Sequence, residues 1–569
     1  MNRRPLSFPA PTPRAEGLHH GPARAGARPP ASRRAQLDRA SFGTAAGTLL
    51  SRVTGLLRLV ALAAALGGAS LANGFNLANS TPNMVHDLVL GGILSATFIP
   101  VFVERLAAAR PKEAAESISA VVTLSLVVLA AASLLLAVFA PEVIGAYTSG
   151  ASAASPAARA VATELLRWFA PQVFFYGLVS LVEAVLATRD RFAVVGVVPV
   201  LNNLVAIAVL VAFALAAHHL AVQGAVPISA VEHEQGLVTL LGLGTTLGVA
   251  VQALALLPSL ARSGVRLRPV WRPRDPAIRR IVALSGWTFG FVVANQVATF
   301  IVLALEYHLG GGSVSAYTYA YQFFTFPFAV VAVSVMNVAS PDMARAFASG
   351  RLSLLGRRFT RATRQTLALV LPAAVGYLVL AREAMVLLLQ HGAESHHYAE
   401  LTASVLALFA LGLPGFSVFL LEVRAFQAMQ DTRTAFVCYV LENATNILLA
   451  FVLYSPLGVR GLALSYSVAY TVAAVVGLAV LRERLGPMGG TGLLLAAGRA
   501  LVLSVAMAFA VALVSALLGA GTGLLGWGKL LAEILVGGLV YLGGAGIAGM
   551  VRSRLRRPAA PPGPPDGAG

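Results

Sequence analysis

Residues 183–203 (EAVLATRDRFAVVGVVPVLNN) and residues 424–444 (RAFQAMQDTRTAFVCYVLENA) are two versions of one pattern: the end of an apolar run, a short turn carrying an aspartate, and the start of the next apolar run. Setting Asp190 against Asp431 also sets Asn202 against Asn443, Glu142 against Glu383 and Pro100 against Pro341, a constant offset of 241 residues (100 to 341). A repeat of this size is a duplicated unit, and the number of apolar runs inside it decides how the copies are oriented. Six runs fall in each copy. An even number sends both copies into the membrane from the same side, related by an axis along the membrane normal. Two such lobes facing one another enclose a central cavity.

The runs are membrane spans because the chain has no other use for so much apolar surface. Of its 569 residues 57% are hydrophobic and 12% charged, against roughly 25% charged in an average soluble domain. A bilayer-crossing helix needs ~20 mostly apolar residues. Such stretches fall near 43–66, 72–104, 118–146, 161–187, 193–217, 236–260, 280–306, 314–344, 366–389, 400–428, 435–455, 461–481, 498–518 and 527–550. The expected fold is therefore an all-α polytopic membrane protein of about fourteen transmembrane helices. It divides into a lobe over 41–262, a basic linker over 263–279, a second lobe over 280–485 and two further helices over 486–551. Residues 1–40 form a Pro- and Arg-rich arm without an apolar core, read as disordered and not as a signal peptide, and 552–569 form a tail. The last two helices serve either as a packing extension or as a lipid-facing groove.

A formal net charge of +18 would point to nucleic acid in a soluble protein, but here the distribution points to lipid, and no nucleic-acid partner is expected. With the N-terminus in the cytoplasm, 34 of the 42 Lys and Arg residues fall in the arm, the tail and the inner loops, including the linker. The outer loops receive Arg159, Arg460 and Lys529, and Arg52, Arg58, Arg167, Arg382 and Arg424 lie within spans or at their edges. Such segregation is the positive-inside pattern, which places both termini in the cytoplasm. Cys438 is the one cysteine, which rules out an internal disulfide and a cysteine-based zinc site. Neither Lys112 nor Lys529 stands in a phosphate-binding loop, and no set of metal ligands or of nucleophile and base is apparent. No covalent chemistry, metal or cofactor is therefore expected.

Ionisable and amide side chains inside spans are costly in lipid and mark cavities or helix contacts. Arg52 and Arg58 lie along the first span, ~9 Å apart in rise; their guanidinium forks suit phosphate oxygens. Asn76, Asn79, Asn83 and His86 follow i, i+3 and i+4 steps on the second span, which Pro82 and the pair Gly91 and Gly92 interrupt. That stripe either lines the cavity or bonds neighbouring helices. His86 beside Asp87 reads as a proton-sensitive pair or as neutralisation of a buried charge. Gln322, with Asn295 and several tyrosines, gives the second lobe polar character without fixed charge. Glu183 and Arg424 occupy matching positions, either as a structural or gating ion pair or with Arg424 reaching the inner interface.

Several motifs carry a family likeness. Residues 51–58 (SRVTGLLR) resemble the S-R-x-x-G-x-x-R signature that opens the first helix of the MurJ/MviN lipid II flippase family. Residues 79–83 (NSTPN) and 91–100 (GGILSATFIP) resemble its second helix, and residues 424–432 (RAFQAMQDT) its R-A-F-Y-A-x-x-D-T turn. Together with the layout, the likeness spans residues 41 to about 550. It implies an alternating-access flippase of the multidrug/oligosaccharidyl-lipid/polysaccharide exporter superfamily, placed in the bacterial cytoplasmic membrane. Its implied cargo is an undecaprenyl-pyrophosphate-linked peptidoglycan precursor, with Arg52 and Arg58 on the pyrophosphate and the last two helices holding the polyprenyl tail. Asn73, His86-Asp87, Gly91 and Gln322 replace charged residues common in the family, giving a less cationic cavity that resembles the actinobacterial-type branch. Alternatives are a flippase for another polyprenyl-linked glycan, a drug exporter of the superfamily, or a scaffold whose basic arm recruits cell-wall synthesis or division proteins.

Overall fold

The structure, a computed structural model, describes residues 31–67, 70–91, 111–151, 155–187, 192–222, 226–264, 267–284, 286–391, 396–487, 490–519, 521 and 523–555. The first lobe comprises α1 (Ala31–Leu66), α2 (Ser70–His86), α3 (Pro111–Val138), α4 (Ala140–Thr148), α5 (Pro156–Phe169), α6 (Gln172–Ala187), α7 (Phe192–Val197), α8 (Pro199–Ala216), α9 (Ile228–His233) and α10 (Gln235–Ala261). The second comprises α11 (Pro276–Leu284), α12 (Gly286–Leu309), α13 (Ser313–Pro327), α14 (Val333–Ala348), α15 (Leu352–Leu389), α16 (His396–Ala428), α17 (Thr432–Leu457) and α18 (Val459–Leu485). A hairpin of α19 (Gly490–Leu518) and α20 (Gly523–Leu555) follows.

Among the described residues thirteen helical segments are long and apolar enough to cross a membrane. The span that falls short of the expected fourteen is the second: α2 has 17 residues, and Asn73, Asn76, Asn79 and Asn83 dilute its hydrophobicity. Gly92 and the rest of that span lie outside the described residues. Prolines divide other runs into collinear pieces, since a proline lacks the N–H and its ring crowds the preceding turn. Pro141 stands in the first turn of α4, Pro171 separates α5 from α6, and Pro199 opens α8.

The duplication reappears as packing. In the first lobe α1 packs on α8, α2 on α5, α3 on α6 and α8 on α10; in the second α12 packs on α17, α13 on α16, α15 on α16 and α17 on α18. One feature is repeated to the residue. Beyond α2 the helix widens into a π-turn at Asp87–Gly91, and beyond α13 another occupies Phe328–Ala332, the same 241 positions later (87 to 328). Such turns accommodate an extra residue and bend a helix. Pro82 and Pro327 precede them at different distances, so the two copies keep the bend while their prolines have moved.

Small residues let the helices approach closely, as lipid-embedded bundles require. A Cβ on Gly412 of α16 would stand 2.5 Å from the Ser467 Cα of α18, and one on Gly415 would stand 2.8 Å from the Thr471 Cα. The aspartate turn of the second lobe is built by Gln430, whose φ is 59°. Asp431 then caps α17, accepting from the Thr434 N–H at 3.1 Å and hydroxyl at 2.7 Å, and pairs with Arg484. In the first lobe the matching turn at 188–191 lies outside the described residues.

Some boundaries differ from expectation. Helix α1 begins at Ala31, so the last ten residues of the arm read as disordered are helical, continuing the first span; residues 1–30 lie outside the described residues. The linker is ordered against α3: Arg268 N–H donates to Ser119 at 3.3 Å, Val270 N–H to Thr123 at 3.1 Å, and Arg272 pairs with Glu116 at 2.9 Å. From Pro276 it is already helix. At the other end α20 runs on to Leu555, into the expected tail. Lys529, expected on the outer side, belongs to α20 and lies against α15, 2.8 Å from Glu383 and 3.6 Å from the fully buried Glu533. Ser515 of α19 donates to the same Glu383 oxygen at 3.0 Å. These contacts attach the hairpin to the second lobe, and its other faces expose Phe509, Leu513, Leu517, Leu524 and Leu539, as contact with lipid demands.

Candidate functional site

The lobes meet along α1, α2, α12 and α13, and three adjoining cavities lie between them. One of 250 Å³ is lined by Arg58, Phe75, Asn76, Asn79, Asn83, Tyr176 and Thr245 of the first lobe together with Thr318 and Gln322 of the second. Next to it a 200 Å³ cavity holds Ser51, Arg52, Arg58, Asn202 and Asn203 opposite Gln322 and Thr325. The third, of 370 Å³, reaches into the second lobe among Asn295, Thr299, Glu306, Tyr317, Tyr321, Glu442, Asn443, Asn446, Tyr466 and Tyr470, with Ser80 and Gln322 at its first-lobe margin. Gln322 lines all three, and Arg58 lines the two on the first-lobe side.

The arginine wall is held by amides. Asn203 of α8 donates to the Ser51 carbonyl at 3.1 Å and to the Thr54 hydroxyl at 3.0 Å, fixing the face of α1 from which Arg52 and Arg58 extend. Asn202, its neighbour, keeps an oxygen buried without a hydrogen-bond partner. Thr54, in turn, donates to the Leu50 carbonyl at 2.9 Å. Sequence periodicity alone identifies Asn202 as part of the repeat but not as a wall of this cavity.

The asparagine stripe of α2 serves both expected uses. Asn79 and Asn83 line the cavity, with Asn83 donating to the Asn79 carbonyl at 3.2 Å. Asn76 also lines it, yet its amide donates across the lobe boundary to Ser315 at 3.2 Å. Buried Asn73 completes this junction, accepting from the Ser315 N–H at 3.1 Å and hydroxyl at 3.0 Å. The same end of the bundle carries Tyr319 donating to the Gly67 carbonyl at 3.4 Å and His308 bonded to the Ser149 carbonyl at 2.7 Å. The lobes are thus joined at the Gly67 end and again where Gln296 donates to the Met84 carbonyl at 3.2 Å, and the cavities run toward Ser51 and Arg52 at the other end.

His86 lines none of the three. Its Nδ1 lies 3.1 Å from Asp87 and its Nε2 3.2 Å from Ser180 of α6, so it ties α2 within its own lobe. Asp87 is 56% exposed and opens the π-turn that Gly91 closes; Pro82 is buried inside α2. Of the two alternatives for Glu183 and Arg424, the ion pair is not formed. Arg424 is exposed and donates to Gln427 at 3.1 Å. Matching positions in lobes related by rotation meet only if they lie next to the axis, and the C-terminal ends of α6 and α16 do not.

Glu306 and Glu442 are the residues that sequence reading passes over. Both are acids inside apolar spans, subject to the same cost as the arginines, and both are 2% exposed. Glu442 stands one residue before the repeated Asn443, so its place in a conspicuous motif was the available signal.

The sequence profile described as "Lipid II flippase MurJ" matches residues 62–527. A "probable lipid II flippase MurJ" of Rhizobium meliloti is 29% identical over 446 residues, covering 77% of this chain and 80% of the relative. The "lipid II flippase MurJ" of Burkholderia cenocepacia is 28% identical over 457 residues, covering 79% and 84%. Among solved structures, a lipid II flippase MurJ in an inward closed conformation superposes with a TM-score of 0.69 at 22% identity, over 90% of this chain and 99% of that one. An inward-facing multidrug transporter of the MATE family and MOP superfamily superposes with 0.63 at 16% identity, over 78% and 96%. A duplicated helical bundle with a cavity between its lobes, matched by this profile over most of its length, belongs to the MurJ lipid II flippase family.

Proposed function

We propose that the chain is a lipid II flippase of the cytoplasmic membrane, carrying an undecaprenyl-pyrophosphate-linked peptidoglycan precursor between leaflets by alternating access. The observation that carries this reading is Arg58, which faces the hollow between the lobes and not the acyl chains, in a chain whose relatives bear that function in their names. A pyrophosphate in this cavity exchanges water for the guanidinium forks of Arg58 and Arg52, a charge-assisted contact that keeps the anion soluble in a low-dielectric interior. Asn79, Asn83 and Gln322 offer neutral donors to the sugar and phosphate oxygens. Joining of the lobes at the Gly67 end fits a state that receives cargo from the Arg52 end. The excess of arginines at that end supports its placement in the cytoplasm, with both chain termini. Motion of one lobe against the other transfers cargo without making or breaking a covalent bond, while the α19–α20 hairpin offers an apolar surface to the polyprenyl tail.

The test is complementation of a bacterial strain depleted of its own lipid II flippase. Growth and normal inner-leaflet lipid II on expression of this chain are expected. Continued lysis with lipid II held on the inner leaflet, despite membrane insertion of the chain, would refute the reading.

A further inference from the structure

His308, in the last turn of α12, sets both of its ring nitrogens against carbonyl oxygens. Nδ1 lies 2.7 Å from the Ala304 carbonyl of its own helix, and Nε2 lies 2.7 Å from the Ser149 carbonyl of the first lobe. A carbonyl oxygen only accepts, so both nitrogens have to donate. A neutral imidazole has one N–H and would turn its other nitrogen's lone pair toward an oxygen; the imidazolium has two N–H groups. The pair of contacts is therefore complete only when the ring carries a proton on each nitrogen.

Two helix ends receive that charge. One is the last turn of α12 itself, and the other is the end of α4, which stops at Thr148 with Ser149 as its cap. Unpaired carbonyls at a helix C-terminus interact favourably with a cation. The turn that aims the Ser149 carbonyl at α12 is made possible by Gly150, whose φ is 78° and whose added Cβ would stand 3.8 Å from His308 Nε2. Arg159 of α5 braces the same turn, donating to the Thr148 carbonyl at 3.3 Å. The other ionisable side chains at this end, on elements packed against α12, are Glu142 and Tyr147 of α4, Tyr319 of α13, Tyr454 of α17 and Arg460 of α18. Tyr147 donates to the Met84 sulfur at 3.5 Å, Tyr319 to the Gly67 carbonyl and Arg460 to Ser404 at 2.8 Å. Glu142 is exposed, and Glu306 of α12 lines the second-lobe pocket.

We infer that His308 is a proton-operated clasp between the lobes: its imidazolium ties α12 to the turn after α4, and loss of one proton releases the Gly67 end. Imidazole changes charge between about pH 5 and pH 8. With a single N–H the ring keeps either the Ala304 bond within its helix or the Ser149 bond between lobes, and the bare nitrogen repels the remaining carbonyl. Separation of the lobes relieves that repulsion, so raising the pH favours separation and lowering it favours joining. The cross-boundary bonds of Ser315 and Gln296 involve hydroxyl and amide groups, which do not titrate in this range, so the pH dependence of the junction falls to His308. The clasp does not depend on the cargo. Its effect on transport rests on the proposed function, in which the Gly67 end faces the outside of the cell: acid on that side holds the carrier closed outward and slows release.

The test uses the full-length chain in lipid nanodiscs, with a Cys438→Ala background and one spin label on each lobe at the Gly67 end. Pulsed dipolar spectroscopy at about pH 5.5 and about pH 8 reads the ratio of joined to separated lobes. With His308 present the ratio is expected to fall roughly tenfold at the higher pH, the value of one charge-assisted bond. In His308→Gln it is expected to be the same at both pH values. An unchanged ratio with His308 present, a measurement that needs no change at the clasp itself, would overturn the inference and leave the proposed function standing. A pH response that persists in folded His308→Gln would also overturn it, because another group would then carry the proton. A pH-dependent junction in a chain that moves no lipid II in proteoliposomes would support the clasp and count against the proposed function alone.

Discussion

Replacing Ser315 with alanine should release the junction between the lobes. Its hydroxyl makes two bonds across the boundary, accepting from Asn76 at 3.2 Å and donating to Asn73 at 3.0 Å, whereas its N–H keeps a third to Asn73 at 3.1 Å. Ser315 is fully buried and Asn76 3% exposed, so water cannot replace the lost partners while the lobes stay joined. At a net value of about 1 kcal/mol per neutral bond, Ser315→Ala removes about 2 kcal/mol from the joined state. The separated state, in which these groups are hydrated, loses little. The equilibrium between the two should therefore move by roughly 30-fold toward separation. Because Cys438 is the one native cysteine and is buried, a Cys438→Ala background accepts a spin label on each lobe at the Gly67 end. Pulsed dipolar spectroscopy should then show a longer-distance population growing in Ser315→Ala. An unchanged distance distribution, with the protein still folded, would mean that these bonds do not hold the lobes together.

Arg58→Ala should cut lipid II flipping in proteoliposomes by roughly 10- to 100-fold with normal insertion, while Arg58→Lys, which keeps the charge but not the fork, retains part of the activity. Wild-type rates in both would remove the phosphate grip. Lys529→Ala leaves Glu383 and the buried Glu533 without their cation, and should lower stability by about 2 kcal/mol in thermal unfolding, with loosening confined to α19 and α20 in hydrogen exchange. Gly412→Ala places a methyl 2.5 Å from the Ser467 Cα and should cost about 1–3 kcal/mol through forced separation of α16 from α18, measurable as a lower melting temperature. An unaffected melting temperature would show that these helices slide apart freely.

Much of the architecture was legible in the chain because membrane insertion is a one-dimensional problem. Each apolar run must be long enough to span, each basic loop has a preferred side, and the offset of 241 residues links the two copies before any contact is known. The α2 stripe was likewise visible from its i, i+3 and i+4 spacing, and the arginines of α1 from their cost in lipid. Two acids escaped notice because single carboxyls in aromatic-rich spans do not reveal whether they meet a cation, a cavity or each other. Whether Glu183 and Arg424 pair was left open for a related reason: equivalence in a repeat fixes a position within a lobe, not proximity between lobes.

The sequence by itself determined that this is a duplicated bundle of membrane helices with arginines and amides inside it, since hydrophobic length and periodicity are local properties of the chain. Only the tertiary structure decided which of those polar groups share a space. Arg58, Gln322, Glu306 and Glu442 lie far apart along the chain. They meet because the lobes pack along α1, α2, α12 and α13, and the choice of facing surfaces depends on how whole bundles fit together. That choice turns Asn73 and Asn76 into a junction with Ser315, sends His86 to Ser180, and leaves a hollow with arginines on one wall and carboxyl groups on the other.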